Sequence, residues 1–537
     1  MRNAAPASAS SASAPVCRIC WESTCEANGS DTFLTPTPCA CRDERSNVHQ
    51  DCLERWILEA RSQGRFDCGT VCHACGANYA HPALAETVLS ASAKAAVPPG
   101  DLREHDTREP IAVVGGTGYV GRSVCLHLVN HPTFRLGAVV GSAATVGKPF
   151  SAVFEKKEEA LVEHYGADLW KPQQFPQEFM SVRVSSVEEV LKRGECRVAL
   201  SFIAPEHGEI EDALGAAGVK VFSISPHARF DPANPLSVPE ANPETLRDAV
   251  AASFADKRSD ARSLVKSPNC VTCGVAVALK ALDDVAEWGG VRDVAITTFQ
   301  SLSGRGDAKY PRELVMGNVY PLKGTVERTG EYQKGELKRL MPGVERVSVG
   351  AYRVPVQKGH LVDVRVRFKR NPDWDAPPLA RAENGAEEDE EKQRTDEKTR
   401  ETRPLARKPT ALEIKEAFER FDPLRDAPLP SKPRRAIVVK PLDVPSATSA
   451  GPAFSSAAAA APPRLGTPRP KDDCEFENGM AICVGNIDVE DDCFDVAFCV
   501  VVNNVARGAW GAAMLNAEYW AYLRNRKPGE SAFGNDE

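Results

Sequence analysis

Short blocks of consecutive apolar residues recur from residue 109 onward. Pro110–Val114, Leu136–Val140, Arg197–Ile203 and Val219–Ser223 are each five to seven residues long and show no alternation. That is the signature of strands buried on both faces. Helical segments separate them, so the pattern predicts an α/β fold with a parallel, Rossmann-type sheet. Beyond residue 266 the texture changes. Val275–Leu282 is a small-and-aliphatic run that predicts a buried helix. Val291–Ser303 and Val347–Val356 read as strands, and the alternation Val362, Val364, Val366, Phe368 as a strand with one buried face. Ala411–Phe421 predicts an amphipathic helix on Leu412, Ile414, Ala417 and Phe418. Gly479–Ile487 and Phe494–Val502 predict two more strands, and residues 505–525 a closing helix.

Composition narrows the function classes. At 537 residues the chain is expected to hold two or three domains. A net charge of −8 gives no reason to expect nucleic acid as a partner. No run of about 18 apolar residues exists, so no membrane-spanning helix is expected. The N-terminus has one Arg and no apolar core, unlike a secretory signal. Its Ala/Ser-rich, acid-free residues 1–16 read as disordered and resemble a transit peptide, so the expected location is cytoplasmic, with a plastid as the alternative.

Nine of the 17 cysteines precede residue 76, mostly in pairs, which points to metal binding in a reducing compartment. Cys17, Cys20, Cys39, Cys41, His49, Cys52, Cys72 and Cys75 make eight ligands, enough for two tetrahedral zinc ions in a module over residues 17–80. With Ile19 and the His49–Trp56 run, this module resembles a RING-CH (RING-variant) zinc finger. The resemblance implies a ubiquitin-conjugating enzyme as partner, contacted around Ile19 and Trp56. Residues 81–108 read as a linker. Mixed-charge residues 370–409 and Ala/Pro/Ser-rich residues 441–473 read as flexible insertions.

Two stretches carry chemistry. Gly115, Gly116, Thr117, Gly118, Tyr119, Val120 and Gly121 lie between a predicted strand and helix, with Gly116, Gly118 and Gly121 in G-x-G-x-x-G spacing. Such glycines allow a tight turn and close approach of backbone to a pyrophosphate at the helix N-terminus. The second stretch is Ser267–Gly274. Pro268 and Asn269 ahead of the apolar run signal a helix start, with Asn269 as N-cap and Cys270 in the first turn. There the helix dipole favours a thiolate, so Cys270 is the expected nucleophile and Cys273 a buried bystander.

Set side by side, these motifs make residues 109–525 resemble aspartate-semialdehyde dehydrogenases of the archaeal and fungal branch. The resemblance rests on the Gly115–Gly121 loop, Asn269–Thr272, Gln300 in Gln-x-Leu-Ser-Gly, Arg353 and His360 in Arg-Val-Pro-Val-x-x-Gly-His, and Arg507 with Asn504 before the closing helix. It implies a dinucleotide-binding domain over 109–266, completed by the helix at 505–525, and an α+β catalytic and dimerisation domain over 267–504. It implies NADP as cofactor, a homodimer or homotetramer, and reduction of aspartyl phosphate to aspartate semialdehyde through a Cys270 thioester. In that scheme His360 shuttles the proton and Gln300 orients the substrate. Arg353 takes the α-carboxylate, Glu336 the amino group, and Arg229 with Lys338 the phosphate.

Three departures from the family stand out. The Arg expected after the second strand is replaced at Ala144, leaving Ser142 and Thr145 to meet a 2′-phosphate, with no acid there to favour NAD. Val271 replaces the usual Ser beside the nucleophile, and Ile224 an Asn. The alternatives are a malonyl-CoA reductase-like enzyme, or a ubiquitin-ligase adaptor that uses the dehydrogenase body as a scaffold.

Overall fold

A computed structural model describes residues 33, 47–50, 52–54, 106–255, 264–305, 312–322, 328–369, 408–442, 466–489 and 493–525. The chain divides into two compact units, one of residues 1–108 with 126–135 and one of the remainder. In the first, Phe33 and His49 bridge as antiparallel partners, their rings stacked at 4.7 Å. Val48 and Leu53 are fully buried. Six of the eight expected zinc ligands (Cys17, Cys20, Cys39, Cys41, Cys72 and Cys75), with Ile19 and Trp56, lie outside the described residues. So do residues 1–16, nearly all of the 81–108 linker, and residues 370–407 and 443–465 of the two expected insertions.

Beyond residue 108 the buried runs become strands. β1 (Glu109–Val114), β2 (Phe134–Val140), β3 (Val184–Ser185), β4 (Val198–Ser201), β5 (Lys220–Ser223) and β6 (Leu264–Lys266) form a six-stranded sheet in the order β3-β2-β1-β4-β5-β6. The β2–β3, β1–β4, β4–β5 and β5–β6 pairings are parallel. The helices between them are α1 (Tyr119–Leu128), α2 (Phe150–Tyr165), α3 (Val187–Arg193), α4 (Glu209–Ala216) and α5 (Pro243–Ala255). Ile111–Val114 and the central strand β4 are buried on both faces, as their unbroken apolar runs require.

β6 leads directly into α6 (Cys270–Asp283), of which eleven residues are buried. Its small residues permit close packing: a Cβ on Gly274 would come within 2.3 Å of a Val502 methyl and 3.1 Å of Ile482. A second sheet lies against it. β7 (Val291–Gln300), β8 (Tyr320–Pro321), β9 (Arg346–Arg353), β10 (His360–Phe368), β11 (Ile437–Val439), β12 (Ile482–Asp488) and β13 (Val496–Val502) stack in the order β11-β12-β13-β10-β7-β9-β8. Val362, Val364, Val366 and Phe368 share a core with Val271, Val275, Val277 and Leu279 of α6. The helices α7 (Thr329–Leu340) and α8 (Ala411–Arg420) contribute Leu337, Leu340, Ile414 and Phe418 to it.

Several element ends differ from expectation. β7 stops at Gln300, because the next amide, Ser301 N–H, is taken by His360 and Leu302 N–H by Val356 O. β9 ends at Arg353, two residues before Pro355. β12 begins at Ile482, because Gly479 sits at φ +79° where a Cβ would strike the Asn503 amide at 2.4 Å. The closing segment opens with a π-helical turn, Ala506–Trp510, before α9 (Gly511–Asn525). Residues 466–473, expected inside a flexible insertion, include a helical turn at Pro470–Asp473 anchored by a buried Lys440–Asp473 ion pair at 2.7 Å. Among the described residues no helix is long and apolar enough to cross a membrane.

Candidate active site

The Asn269 side chain accepts from Val271 N–H at 3.0 Å, capping α6 as the sequence predicts. Cys270 is thereby held at the helix entrance, half-buried, with Sγ 3.1 Å from His360 Nε2. His360 opens β10 and is fully buried. Cys273, one turn further in, is fully buried with its thiol directed to Pro268 O at 3.6 Å, which fits a bystander.

Burial pushes the Cys270 thiol up to about 11, against the partial offset of the Arg353 charge and the Val271 N–H. Burial, reinforced by Arg353, holds His360 well below the ordinary imidazole range. Both shifts favour the uncharged form of the group. Burial thus opposes the thiolate that the helix N-terminus favours. A proton acceptor completes the activation, and His360 Nε2 is the one in contact with the sulfur.

The expected substrate residues are brought together unevenly. Arg353, at the end of β9, is 1 % exposed and donates through Nη1 to Ser301 O at 2.7 Å. Gln300 lies opposite Arg353 in the β7–β9 register, and its amide donates to Thr298 Oγ1 at 3.0 Å. Glu336 and Arg229, expected to receive an amino group and a phosphate separately, are ion-paired with each other at 2.7 Å. Glu336 also accepts from Asn269 N–H at 2.9 Å and Thr272 Oγ1 at 2.7 Å, and Arg229 Nη2 donates to Ile224 O. Glu336 thus braces the turn that presents Cys270. Lys338 does not join the pair: two positions from buried Glu336 on α7 it projects to the opposite, exposed side.

Asn504, expected at the cofactor, has its amide occupied within the protein. Its Oδ1 accepts from Ser301 Oγ and Gly359 N–H, each at 2.9 Å, and its Nδ2 donates to Ser303 Oγ at 2.9 Å. It lies behind His360. Sequence reasoning missed Ser301 as well as two glycines. A Cβ on Gly304 would come within 3.0 Å of Arg353 Nη1 and 3.1 Å of His360 Cε1, and one on Gly508 within 2.6 Å of Cys270 Cβ. The available signal was the glycine itself, inside the two motifs already singled out.

The glycine loop suits a dinucleotide. Gly115 takes φ +73°, and a Cβ on Gly121 would sit 2.3 Å from Gly115 O, so α1 packs directly on the loop. A Cβ on Gly116 would meet Val139 at 2.8 Å and Val113 O at 2.9 Å, whereas Gly118 has one neighbour, Gly115 O at 3.3 Å. Its outer side leaves the α1 N-terminus open to an anion. Thr117 and Tyr119 are buried, and Tyr119 meets the Trp170 ring edge-on at 5.2 Å. Val120 is half-buried in the first turn of α1. Past β2, Thr145 N–H and Oγ1 both donate to Ser142 O, at 2.8 and 2.9 Å, in an exposed turn. Arg183, unforeseen from sequence, donates to Gly147 O at 2.7 Å and brings a cation beside that turn.

In the N-terminal unit, Cys52 Sγ lies 3.8 Å from His49 Nδ1 on one helical turn. Two ligands of one tetrahedral zinc stand about 3.6 Å apart, so this pair of donors fits such an ion.

Comparison with known proteins agrees with both parts. Residues 110–249 match the family model for the NAD-binding domain of semialdehyde dehydrogenases, and residues 17–75 match that of the RING-variant domain. The aspartate-semialdehyde dehydrogenase of Trichophyton rubrum is 27% identical over 424 residues, covering 77% of this chain and 97% of that protein. That of Schizosaccharomyces pombe is 26% identical over 419 residues, covering 76% and 96%. That of Archaeoglobus fulgidus is 26% identical over 418 residues, covering 76% and 97%. Among solved structures, the aspartate-semialdehyde dehydrogenase of Candida albicans with NADP shares the fold, with a TM-score of 0.57 at 22% identity over 78% of this chain and 99% of that one.

Proposed function

We infer that this chain is an aspartate-semialdehyde dehydrogenase, reducing L-4-aspartyl phosphate to L-aspartate 4-semialdehyde with NADPH. The observation that carries the reading is the Cys270–His360 contact at 3.1 Å, set among Arg353, Arg229 and Glu336 at the entrance of a capped helix. Similarity to fungal and archaeal enzymes of that name along the whole dehydrogenase part supports it.

The Cys270 sulfur attacks the acyl carbon, an S–C bond forms, and phosphate leaves with the electron pair of the broken C–O bond. His360 Nε2, in contact with the sulfur, takes the thiol proton and returns it to the developing alkoxide. The Gly115–Gly121 loop would hold NADPH, which when bound would supply the hydride that reduces the thioester carbon. Collapse of the resulting adduct frees the semialdehyde and regenerates Cys270. Arg353 takes the α-carboxylate as a planar fork, with Gln300 beside it in register. The zwitterionic ends of the substrate separate the Arg229–Glu336 pair, phosphate going to Arg229 and ammonium to Glu336. Ser142, Thr145 and Arg183, with no acid at the end of β2, favour the 2′-phosphate of NADP.

The deciding experiment follows NADPH formation from the semialdehyde with phosphate, arsenate or coenzyme A as acceptor. Phosphate- or arsenate-dependent turnover is expected. Turnover with coenzyme A alone would overturn the assignment in favour of a malonyl-CoA reductase-like reaction.

The N-terminal match supports a second activity. We propose that residues 17–75 bind two zinc ions and recruit a ubiquitin-conjugating enzyme through Ile19 and Trp56. Autoubiquitination lost on Trp56→Ala tests this, and its absence with a panel of conjugating enzymes refutes it.

A further inference from the structure

Ser301 presents His360 Nδ1 with two groups of opposite kind. Its backbone N–H donates to Nδ1 at 3.0 Å, and its hydroxyl oxygen lies 3.1 Å from the same nitrogen. A backbone N–H can only donate, so it selects the ring form with a bare Nδ1 and the proton on Nε2. In that form Nε2 faces Cys270 as a donor and has no lone pair for the thiol proton. The hydroxyl acts in the opposite sense. Its hydrogen is directed to Asn504 Oδ1 at 2.9 Å, with a longer contact to Ser303 Oγ at 3.4 Å. Asn504 cannot turn over, because Gly359 N–H donates to the same Oδ1 while Nδ2 donates to Ser303 Oγ, each at 2.9 Å. With its hydrogen held there, Ser301 Oγ turns a lone pair toward Nδ1.

We propose that Ser301, its hydroxyl oriented by Asn504, is the positioning residue that lets His360 act as a base. It provides the acceptor for Nδ1–H that the proton-accepting form of the ring requires. The step is then balanced. The Cys270 S–H bond breaks, its electron pair stays on sulfur, the proton bonds to Nε2, and the resulting imidazolium keeps Nδ1–H on Ser301 Oγ. When Nε2 gives its proton up, the ring returns to the Nδ1–H form held by Ser301 Oγ, whereas loss of the Nδ1 proton instead would leave the form held by the Ser301 N–H. The charged groups around the pair are Arg353, whose Nη1 is bound to Ser301 O, with Arg229 and Glu336 on the far side of Cys270. The inference rests on reading Cys270 as nucleophile and His360 as its proton partner. It does not depend on which acyl substrate is used.

The test is the rate of iodoacetamide alkylation of Cys270 in the full-length chain across pH, read by mass spectrometry on the Cys270 peptide. Ser301→Ala keeps the backbone N–H but removes the acceptor. It is expected to slow alkylation near neutral pH about tenfold or more and to move the pH midpoint upward, and Ser301→Thr should restore both. A slower rate with an unmoved midpoint, or no change at all, overturns the proposal. Nitrogen-15 spectra of His360 give an independent reading: the Ala variant should show the Nε2–H form alone, and identical ring shifts in variant and wild type refute the idea. A chain that shows the midpoint shift yet ignores aspartyl phosphate would refute the proposed reaction and leave this inference standing.

Discussion

The Arg229 guanidinium donates to the Glu336 carboxylate at 2.7 Å, with both side chains buried and 107 positions apart in the chain. Removing one member of such a pair strands the other charge in a desolvated site, at about 3–5 kcal/mol. Glu336→Gln and Arg229→Leu are each expected to destabilise the protein by about that amount in urea unfolding, and the double variant by less than the sum. Strict additivity would mean that the pair is no energetic unit.

The two cysteines of α6 should separate cleanly. Cys270→Ser is expected to lower turnover by about 10³-fold or more while leaving cofactor affinity nearly unchanged, because a hydroxyl is far harder to ionise than a thiol. Cys273→Ser should retain substantial activity, since its thiol points to Pro268 O, away from His360. Equal loss in both variants would contradict the assignment of the nucleophile.

What the sequence made legible was local chemistry. The glycine loop, the Asn269 cap and the unbroken apolar runs of β1 and β4 are each decided within a few residues, and the structure bears them out. Relations across the chain were not readable. Motif position placed Arg229 and Glu336 as separate ligands, but only the fold makes them partners. Asn504 reads as a loop residue near a cofactor until the fold sets it 203 positions from Ser301 yet in hydrogen-bond contact. Ser301 escaped notice because half of its role belongs to a backbone N–H, which carries no residue signature. The end of the second insertion was misplaced because Pro468 and Pro470 continue the proline spacing of the stretch before them.

Acid stability offers a separate check on His360. Its folded-state value lies well below 6.5, while the unfolded chain titrates near 6.5. Below that pH the unfolded chain binds a proton that the folded chain refuses, so stability falls as pH falls toward the folded value. His360→Asn removes this contribution. Between about pH 7.5 and pH 5.5 the variant should lose less stability than wild type in urea titrations. An equal loss would imply that His360 is protonated in the folded protein.

The N-terminal module should depend on metal. Two zinc ions per chain are expected by elemental analysis, with metal content and protease resistance of this segment falling together in His49→Ala or Cys39→Ala. Dehydrogenase turnover should persist in these variants. Loss of turnover on zinc removal would make the module part of the enzyme.

A backbone segment from the far end of the chain packs directly against the nucleophile. Gly508 lies in the π-helical turn ahead of α9, and π turns inside helices tend to mark functional sites. A Cβ there would sit 2.6 Å from Cys270 Cβ, 2.8 Å from its carbonyl oxygen and 2.9 Å from its Cα, too near for any side chain without movement. Most of those atoms are backbone, so relief must come from shifting either the turn or the entrance of α6. The turn is pinned by a buried ion pair from Arg507 to Glu240 at 2.6 Å and by Gly508 N–H on Asn503 O at 2.8 Å. The α6 entrance, held by Glu336 and the Asn269 cap, therefore shares the displacement, and the Cys270–His360 contact lengthens. Gly508→Ala is expected to cost about 1–3 kcal/mol of stability and to reduce kcat about 100-fold, the order of effect of an ångström-scale misplacement. The substrate KM should change little, since Arg353 is anchored on β9. Comparing kcat, KM and Cys270 alkylation in the folded variant tests this. A variant with wild-type kcat would show that the site absorbs the extra methyl without moving its nucleophile.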